Sequence, residues 1–393
     1  MKVLMVNNWF TRPGGIEQMV DNLLAMLKQR GVEVGLYARY NADIPSGLRA
    51  SVRAFFSGIY SRTEKRLMAQ HLREHRPDVV HAHNLYPLLS PSVLAACRQA
   101  GVPAVLTLHD YNLVCPSFYH LHRARVCERC CGGREYWCIV QNCRGDIFRS
   151  VGFALRMAVA RKFRMFHDNV TLFVALTQFA KQRLVEAGFQ PDRIAVLPNS
   201  VAIPDAPCNP ERGEYVAFAG RLSQEKGVAT LIAAAARTGL PVRIAGDGPL
   251  RSELSASAPQ NVAFVGRLDR AGLLDFYRHA RFTVVPSIWF EVCPLVISEA
   301  MSHGLPVITS RIGGLPELVD EGVTGLLAEL GNADDFAAKM QTLWDSPELC
   351  RSMGQAGREK ARREYGEEVY FTRLLEIYQR AIALGGPAAT GQP

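Results

Sequence analysis

Short runs of aliphatic and β-branched residues alternate with amphipathic stretches along the whole chain. Residues 2–6, 32–37, 79–81, 104–108 and 171–176 are apolar runs of strand length, and residues 19–30 and 91–100 read as helices between them. After the polar, Pro- and Asn-rich stretch 204–213 a second series begins. Residues 215–219, 242–245, 262–265, 282–285 and 306–309 are its strands, and 227–237, 270–279 and 296–302 its helices. Strands that are apolar throughout, separated by helices, predict parallel sheets covered on both faces and joined by right-handed crossovers. The expected fold class is α/β, with two doubly wound, Rossmann-like domains over residues 1–203 and 204–370. Ligands of such sheets bind beyond the carboxyl ends of the strands, so the chemistry is expected in the loops that follow them, in a cleft where the two domains face each other.

Length and composition agree with that picture. The chain has 393 residues, 48% of them apolar and 21% charged, which is enough to bury two cores and excludes a disordered or collagen-like chain. No uncharged stretch reaches the roughly 18 apolar residues of a spanning helix, and the N-terminus lacks a signal peptide's apolar core, so a cytoplasmic protein is expected. Charge is uneven. Residues 1–203 carry 26 Lys and Arg against 14 Asp and Glu, and the rest carries 19 against 23. A basic first half points to an anionic partner: a phosphorylated substrate, an acidic membrane surface or nucleic acid.

Three strand-end motifs carry candidate chemistry. Gly14 and Gly15 follow the first strand and precede a helix, a place where the backbone can close on an anion or simply turn tightly. Arg221 and Lys226 stand five apart on the loop from Gly220 to Gly227, where both can reach one diphosphate. The run Phe290-Glu-Val-Cys-Pro-Leu-Val-Ile-Ser-Glu-Ala300 sets Glu291 in a loop and Glu299 inside the next helix. Pro294 suits that helix's first turn, and the amides of Leu295 and Val296 form an anion site. Glu299, in an apolar helix, calls for hydroxyl partners such as a ribose diol.

The span from Glu291 to Glu299 resembles the E-x7-E signature of retaining glycosyltransferases of family 4, whose two-domain fold is called GT-B. The resemblance covers nearly the whole chain. Gly14-Gly15, Asp78-Val-Val-His-Ala-His83, Leu106-Thr-Leu-His-Asp110, Leu197-Pro-Asn-Ser-Val201, Gly220-Arg-Leu222 with Lys226, Gly246-Asp-Gly-Pro249 and Gly313-Gly-Leu-Pro-Glu317 fall in family order. It implies that Arg221 and Lys226 bind the diphosphate of a nucleotide-sugar donor, that Glu299 holds the ribose, and that Glu291 contacts the transferred sugar. His109 would line the cleft beside that sugar, and Gly14 and Gly15 would close over the donor. The implied reaction is front-face substitution with retention, the departing phosphate oxygen deprotonating the acceptor; double displacement through Glu291 is the less favoured variant. No cofactor is required for such a transfer. Residues 371–386 would form a helix crossing back to the first domain, followed by a tail, 387–393. Val292 stands where many members have Gly, which leaves the donor sugar open.

Six of the ten cysteines lie between Cys115 and Cys143, in an insert over about 115–145. Cys127, Cys130, Cys138 and Cys143 form two closely spaced pairs suited to a structural zinc, with Cys115, Cys131, His120 and His122 as substitutes. Residues 147–166 read as a basic, apolar helix, with Arg149 and Arg156 on one face, able to lie on an anionic bilayer at the inner face of the membrane or to pack as a surface helix. The expected partners are a nucleotide-diphosphate sugar and a glycan or polyprenyl-linked acceptor, with the anionic membrane surface as a third. Nucleic acid is not expected, since a zinc-dependent nucleic-acid module would leave the second domain without a role. The alternatives within the same fold are a nucleotide-sugar epimerase and a non-catalytic sugar-nucleotide-binding protein.

Overall fold

The computed structural model describes residues 1–9, 15–41, 55 and 57–385. Two compact units emerge. The first comprises Met1–Tyr119, Glu128–Leu197 and the chain from Phe371 on, and the second comprises His120–Cys127 and Pro198–Tyr370. The chain thus passes between units at Leu197, ahead of the polar stretch at 204–213, and part of the cysteine-rich insert groups with the second unit.

In chain order the first eight strands are β1 (Lys2–Trp9), β2 (Glu33–Tyr40), β3 (Val79–Ala82), β4 (Ala104–Thr107), β5 (Leu121–His122), β6 (Arg125–Val126), β7 (Leu172–Ala175) and β8 (Ile194–Val196). β5 and β6 form an antiparallel hairpin. The other six make the first unit's parallel sheet in the order β2-β1-β3-β4-β7-β8. The order reverses between β1 and β3, so the carboxyl ends of β1 and β3 flank a switch point. Val3 to Val6 are fully or almost fully buried, as expected of a central strand with both faces covered. The helix Glu367–Gly385 begins in the second unit and from Phe371 belongs to the first, where Leu374, Tyr378 and Ala381 are fully buried.

The second unit's strands are β9 (Tyr215–Ala219), β10 (Val242–Ala245), β11 (Val262–Gly266), β12 (Ala280–Val285), β13 (Val307–Ser310) and β14 (Gly325–Ala328). They pair in parallel in the order β11-β10-β9-β12-β13-β14, again with a reversal, between β9 and β12. Phe218, Leu231, Phe282, Ile308, Phe336 and Met340 are among the residues that fill its core. Among the described residues no helix is long and apolar enough to cross a membrane. The tail 387–393 and Gly14 lie outside the described residues.

Candidate functional site

In the second unit the loops that leave β9, β10 and β12 are fastened to one another through their backbones. The amide of Leu222 donates to Asp247 O at 3.0 Å, that of Leu250 to Leu222 O at 3.0 Å, and that of Ile288 to Glu225 O at 2.9 Å. Two glycines make this closeness feasible. Gly227 has φ +65°, and a Cβ there would stand 1.9 Å from Pro286 O; Gly246 has φ +134°, and its Cβ would stand 1.8 Å from Gly220 O. The loop carrying Arg221 and Lys226 is therefore held rigidly at the switch point.

Lys226 and Glu291 meet on this frame. Lys226 Nζ donates to Glu291 Oε1 at 2.7 Å, and Ser287 Oγ donates to the same oxygen at 2.6 Å. The Glu291 side chain is 5% exposed, so the ammonium and hydroxyl meet the need of a buried carboxylate for partners. Lys226 also lies over the Trp289 ring, 5.6 Å from its centroid. Arg221 is exposed at the end of β9, in no ion pair among the described residues.

The helix Leu295–Ser302 follows. Pro294 is its N-cap rather than its first-turn residue and supplies no side-chain bond, so the amides of Leu295 and Val296 open the helix uncapped. Glu299 lies one turn further in. Burial raises its carboxyl above the usual range, and the hydroxyl of the buried Tyr277, on the helix Arg270–Arg278, opposes that shift. A carboxyl so placed can accept hydrogen bonds from neutral hydroxyls. Asn199 Nδ2 donates to Cys293 O at 3.2 Å and ties the Leu197–Val201 motif to the loop between the two glutamates.

In the first unit His109 follows β4. Its partner is His83 after β3, not its neighbour Asp110: His83 Nδ1 and His109 Nε2 are 3.1 Å apart, and the rings stack with centroids 5.3 Å apart. The His83 ring in turn packs against His81, centroids 4.1 Å apart and planes tilted by 41°, and His81 is held by Tyr378 Oη at 2.7 Å and Thr107 Oγ1 at 2.8 Å. Burial lowers all three, His109 to about 4 and His81 to about 3, so His109 is a neutral imidazole near pH 7. Asp110 instead accepts from the Asn112 amide at 2.9 Å, and burial raises it to about 6. Gly15 is the first residue of the helix Gly15–Gln29.

The cysteines divide between the units. Cys127 falls in the second, whereas Cys130, Cys138 and Cys143 lie in the first without all three sulfurs coming within 4.8 Å of one another. Cys130 and Cys138 pack with Ala154, and Cys143 packs against them. A hydrogen bond with Cys138 lowers the Cys143 thiol to about 7. The basic helix runs from Ile147 to Lys162, its start capped by Asp146 accepting from the Arg149 amide at 2.8 Å. Arg149 is exposed but Arg156 is buried, so the two do not share a solvent face. Ser287, Tyr277, His83 and Arg156 reach these places through tertiary contacts; of the four, the sequence had marked His83 in a motif and Arg156 on the basic helix.

Comparisons with known proteins agree with this geometry. The family profile described as Glycosyltransferase Family 4 matches residues 13–203, and that described as Glycosyl transferases group 1 matches residues 202–360. A D-inositol 3-phosphate glycosyltransferase of Nocardiopsis dassonvillei is 27% identical over 94% of this chain and 90% of its own. An uncharacterized glycosyltransferase of Methanocaldococcus jannaschii is 25% identical over 91% and 93%. Among solved structures, sucrose-phosphate synthase from Thermosynechococcus elongatus superposes with a TM-score of 0.72 at 18% identity, over 97% of this chain and 99% of its own. Anabaena HepE, in complex with UDP and glucose, gives 0.66 at 18% identity, over 96% and 99%. Strand order, glutamate spacing and both profiles coincide: the chain belongs to the glycosyltransferases of family 4 and has their GT-B fold.

Proposed function

We propose that this glycosyltransferase moves a hexose, with retention, from a nucleotide-diphosphate donor to a glycan or polyprenyl-linked acceptor. The observation that carries the reading is Lys226, fixed by Gly227 and held 2.7 Å from Glu291, beside a helix that opens uncapped at Leu295 and bears Glu299 one turn in. Arg221, Lys226 and the amides of Leu295 and Val296 stabilise charge that develops on a departing diphosphate. Glu299 accepts from the ribose, Glu291 orients the sugar, and a phosphate oxygen of the leaving group takes the acceptor's proton. Neutral His109 offers a hydrogen bond without bringing a charge, and Gly15, at the start of the helix that follows β1, closes over the donor together with Gly14. HepE supports the donor class, since its structures are described as containing UDP or UDP-glucose.

The same reading extends to the membrane. Ile147, Phe148, Val151 and Leu155 are exposed along one helix, Phe148 by 84%, and Tyr136 and Val140 are exposed on the short helix before it. With exposed Arg149 among them, these side chains suit an anionic bilayer and a lipid-linked acceptor.

A thermal-shift screen against UDP, GDP, TDP and their sugars tests the donor assignment. One nucleoside diphosphate at about 100 times its Kd should stabilise the chain by about 2.7 kcal/mol. Glu299→Ala and Lys226→Met should both reduce that gain. Stabilisation by none of them would overturn the proposal.

A further inference from the structure

Within the first unit, a cavity of about 460 Å3 opens beside Tyr86 and Asn112, and the helix Ile147–Lys162 and the turn after it line its other side with Arg156, Arg161 and Arg164. That volume falls in the range of ligand sites. Arg161 is paired with Glu135 at 2.7 Å, and Arg164 with Asp168 at 3.0 Å. Arg156 is different. It is only 9% exposed, yet its guanidinium makes no hydrogen bond and no ion pair with the described residues. It is sandwiched by rings instead, 3.8 Å from the centroid of Tyr86, 4.5 Å from Phe153 and 5.3 Å from Phe118.

Ring faces attract a cation but accept hydrogen bonds poorly, so among the described residues the guanidinium's donors find no acceptor in a place where desolvation is costly. A second guanidinium, Arg144, lies over the same Phe153 ring at 4.4 Å and adds to the positive field. Asp110 attracts Arg156 from a distance, but its own hydrogen bond is to Asn112. The lining holds three arginines against one carboxylate, Glu186, which is itself paired with Arg183, and a planar fork held by aromatics in such a cavity suits a tetrahedral anion.

We infer that this cavity seats a phosphate or diphosphate group of the acceptor, gripped by the fork of Arg156 and attracted by Arg164 at the rim. The inference rests on the transferase reading for calling the ligand an acceptor, but the site itself stands on the first unit alone. One phosphate chemistry serves a soluble phosphate ester and a lipid diphosphate equally.

Calorimetry on the full chain tests it, with inorganic pyrophosphate and farnesyl diphosphate as probes. The best-binding nucleoside diphosphate among UDP, GDP and TDP is kept saturating so that the Lys226 loop is occupied. Pyrophosphate should bind the wild type, and Arg156→Gln should weaken it about tenfold or more, as expected for loss of charge-assisted hydrogen bonds. Arg164→Gln, at an exposed position, should weaken it about threefold and keeps the test decisive if Arg156→Gln does not fold. Tighter binding of farnesyl diphosphate than of pyrophosphate assigns the lipid source, and equal binding a soluble one. Absence of pyrophosphate binding, or binding indifferent to both arginine variants, overturns the inference while leaving the donor assignment intact. Nucleoside diphosphates that fail to bind at all sink the donor assignment, whereas pyrophosphate binding that depends on Arg156 upholds the cavity.

Discussion

Gly227 and Gly239 flank the helix Val228–Thr238 with nearly the same backbone, φ +65° and +67°. Only their surroundings differ. An added Cβ at Gly239 meets nothing within 4 Å, whereas at Gly227 it would lie 1.9 Å from Pro286 O, far inside the 3.0 Å that real Cβ contacts respect. Each Gly→Ala change costs about 1–2 kcal/mol for a left-handed non-glycine backbone, and the restriction of the unfolded chain is common to both. Gly227→Ala must also push the Lys226 loop more than an ångström from the end of β12, an overpacking cost of about 1–3 kcal/mol. For a unit of this size about 2–4 °C of Tm accompanies each kcal/mol, so Gly227→Ala should melt about 2–12 °C below Gly239→Ala. Scanning calorimetry of both variants gives the difference, and nucleotide titration gives the functional counterpart. Nucleoside diphosphate affinity should fall in Gly227→Ala and hold in Gly239→Ala, because only the first displaces Lys226. Equal melting temperatures with equal affinities would refute the argument that backbone contact fixes this loop.

Two further predictions concern titration. His81 and His109 have folded-state values near 3 and 4 against about 6.5 when unfolded, so below pH 6.5 the unfolded chain takes up protons that the fold refuses. Their contribution is complete above about pH 6.5 and is lost towards pH 4, at about 1.4 kcal/mol per pH unit for each histidine, with the raised Asp110 offsetting part of it. Urea midpoints followed across that window should fall less steeply for His81→Gln than for the wild type, and parallel slopes would count against the buried stack. The Cys143 thiol, lowered to about 7 by Cys138, should be alkylated by iodoacetamide with a half-rise near pH 7, whereas Cys208, raised to about 11, stays inert there. Peptide mapping reads both sites. Cys138→Ala should move the half-rise upward, and protection lifted by a chelator would mark a zinc ion on these thiols.

What the sequence disclosed, and what it withheld, follows from range. The central strands were legible because a buried parallel strand is apolar throughout, as in Val3 to Val6. β8, three residues long, and β14, Gly-Leu-Leu-Ala with no β-branched residue, carry too little pattern to be read. Lys226, Glu291 and Glu299 announced themselves through local spacing beside glycines and a proline. Ser287, Tyr277 and Asn199 join them through contacts that no spacing encodes. Arg156 shows the limit most plainly: helical periodicity placed it on a basic face, and Tyr86 and Phe118, brought from two other segments, join Phe153 of its own helix to bury it.

The histidine stack ends on Tyr378, far along the chain from His81 in sequence, and the first unit is completed only from Phe371 on. A ribosome therefore releases a second unit whose segments are all synthesised before the first unit has its last helix. Until then His81 lacks the hydroxyl that fixes its ring, and the imidazoles stacked on it up to His109 lack their anchor. Emergence order makes the loops of the second unit that carry Lys226 and Glu291 available for folding while His109 still awaits the last helix of its own unit, so a nascent chain halted before Tyr378 would hold every segment of the second unit and an unsettled row of histidines in the first.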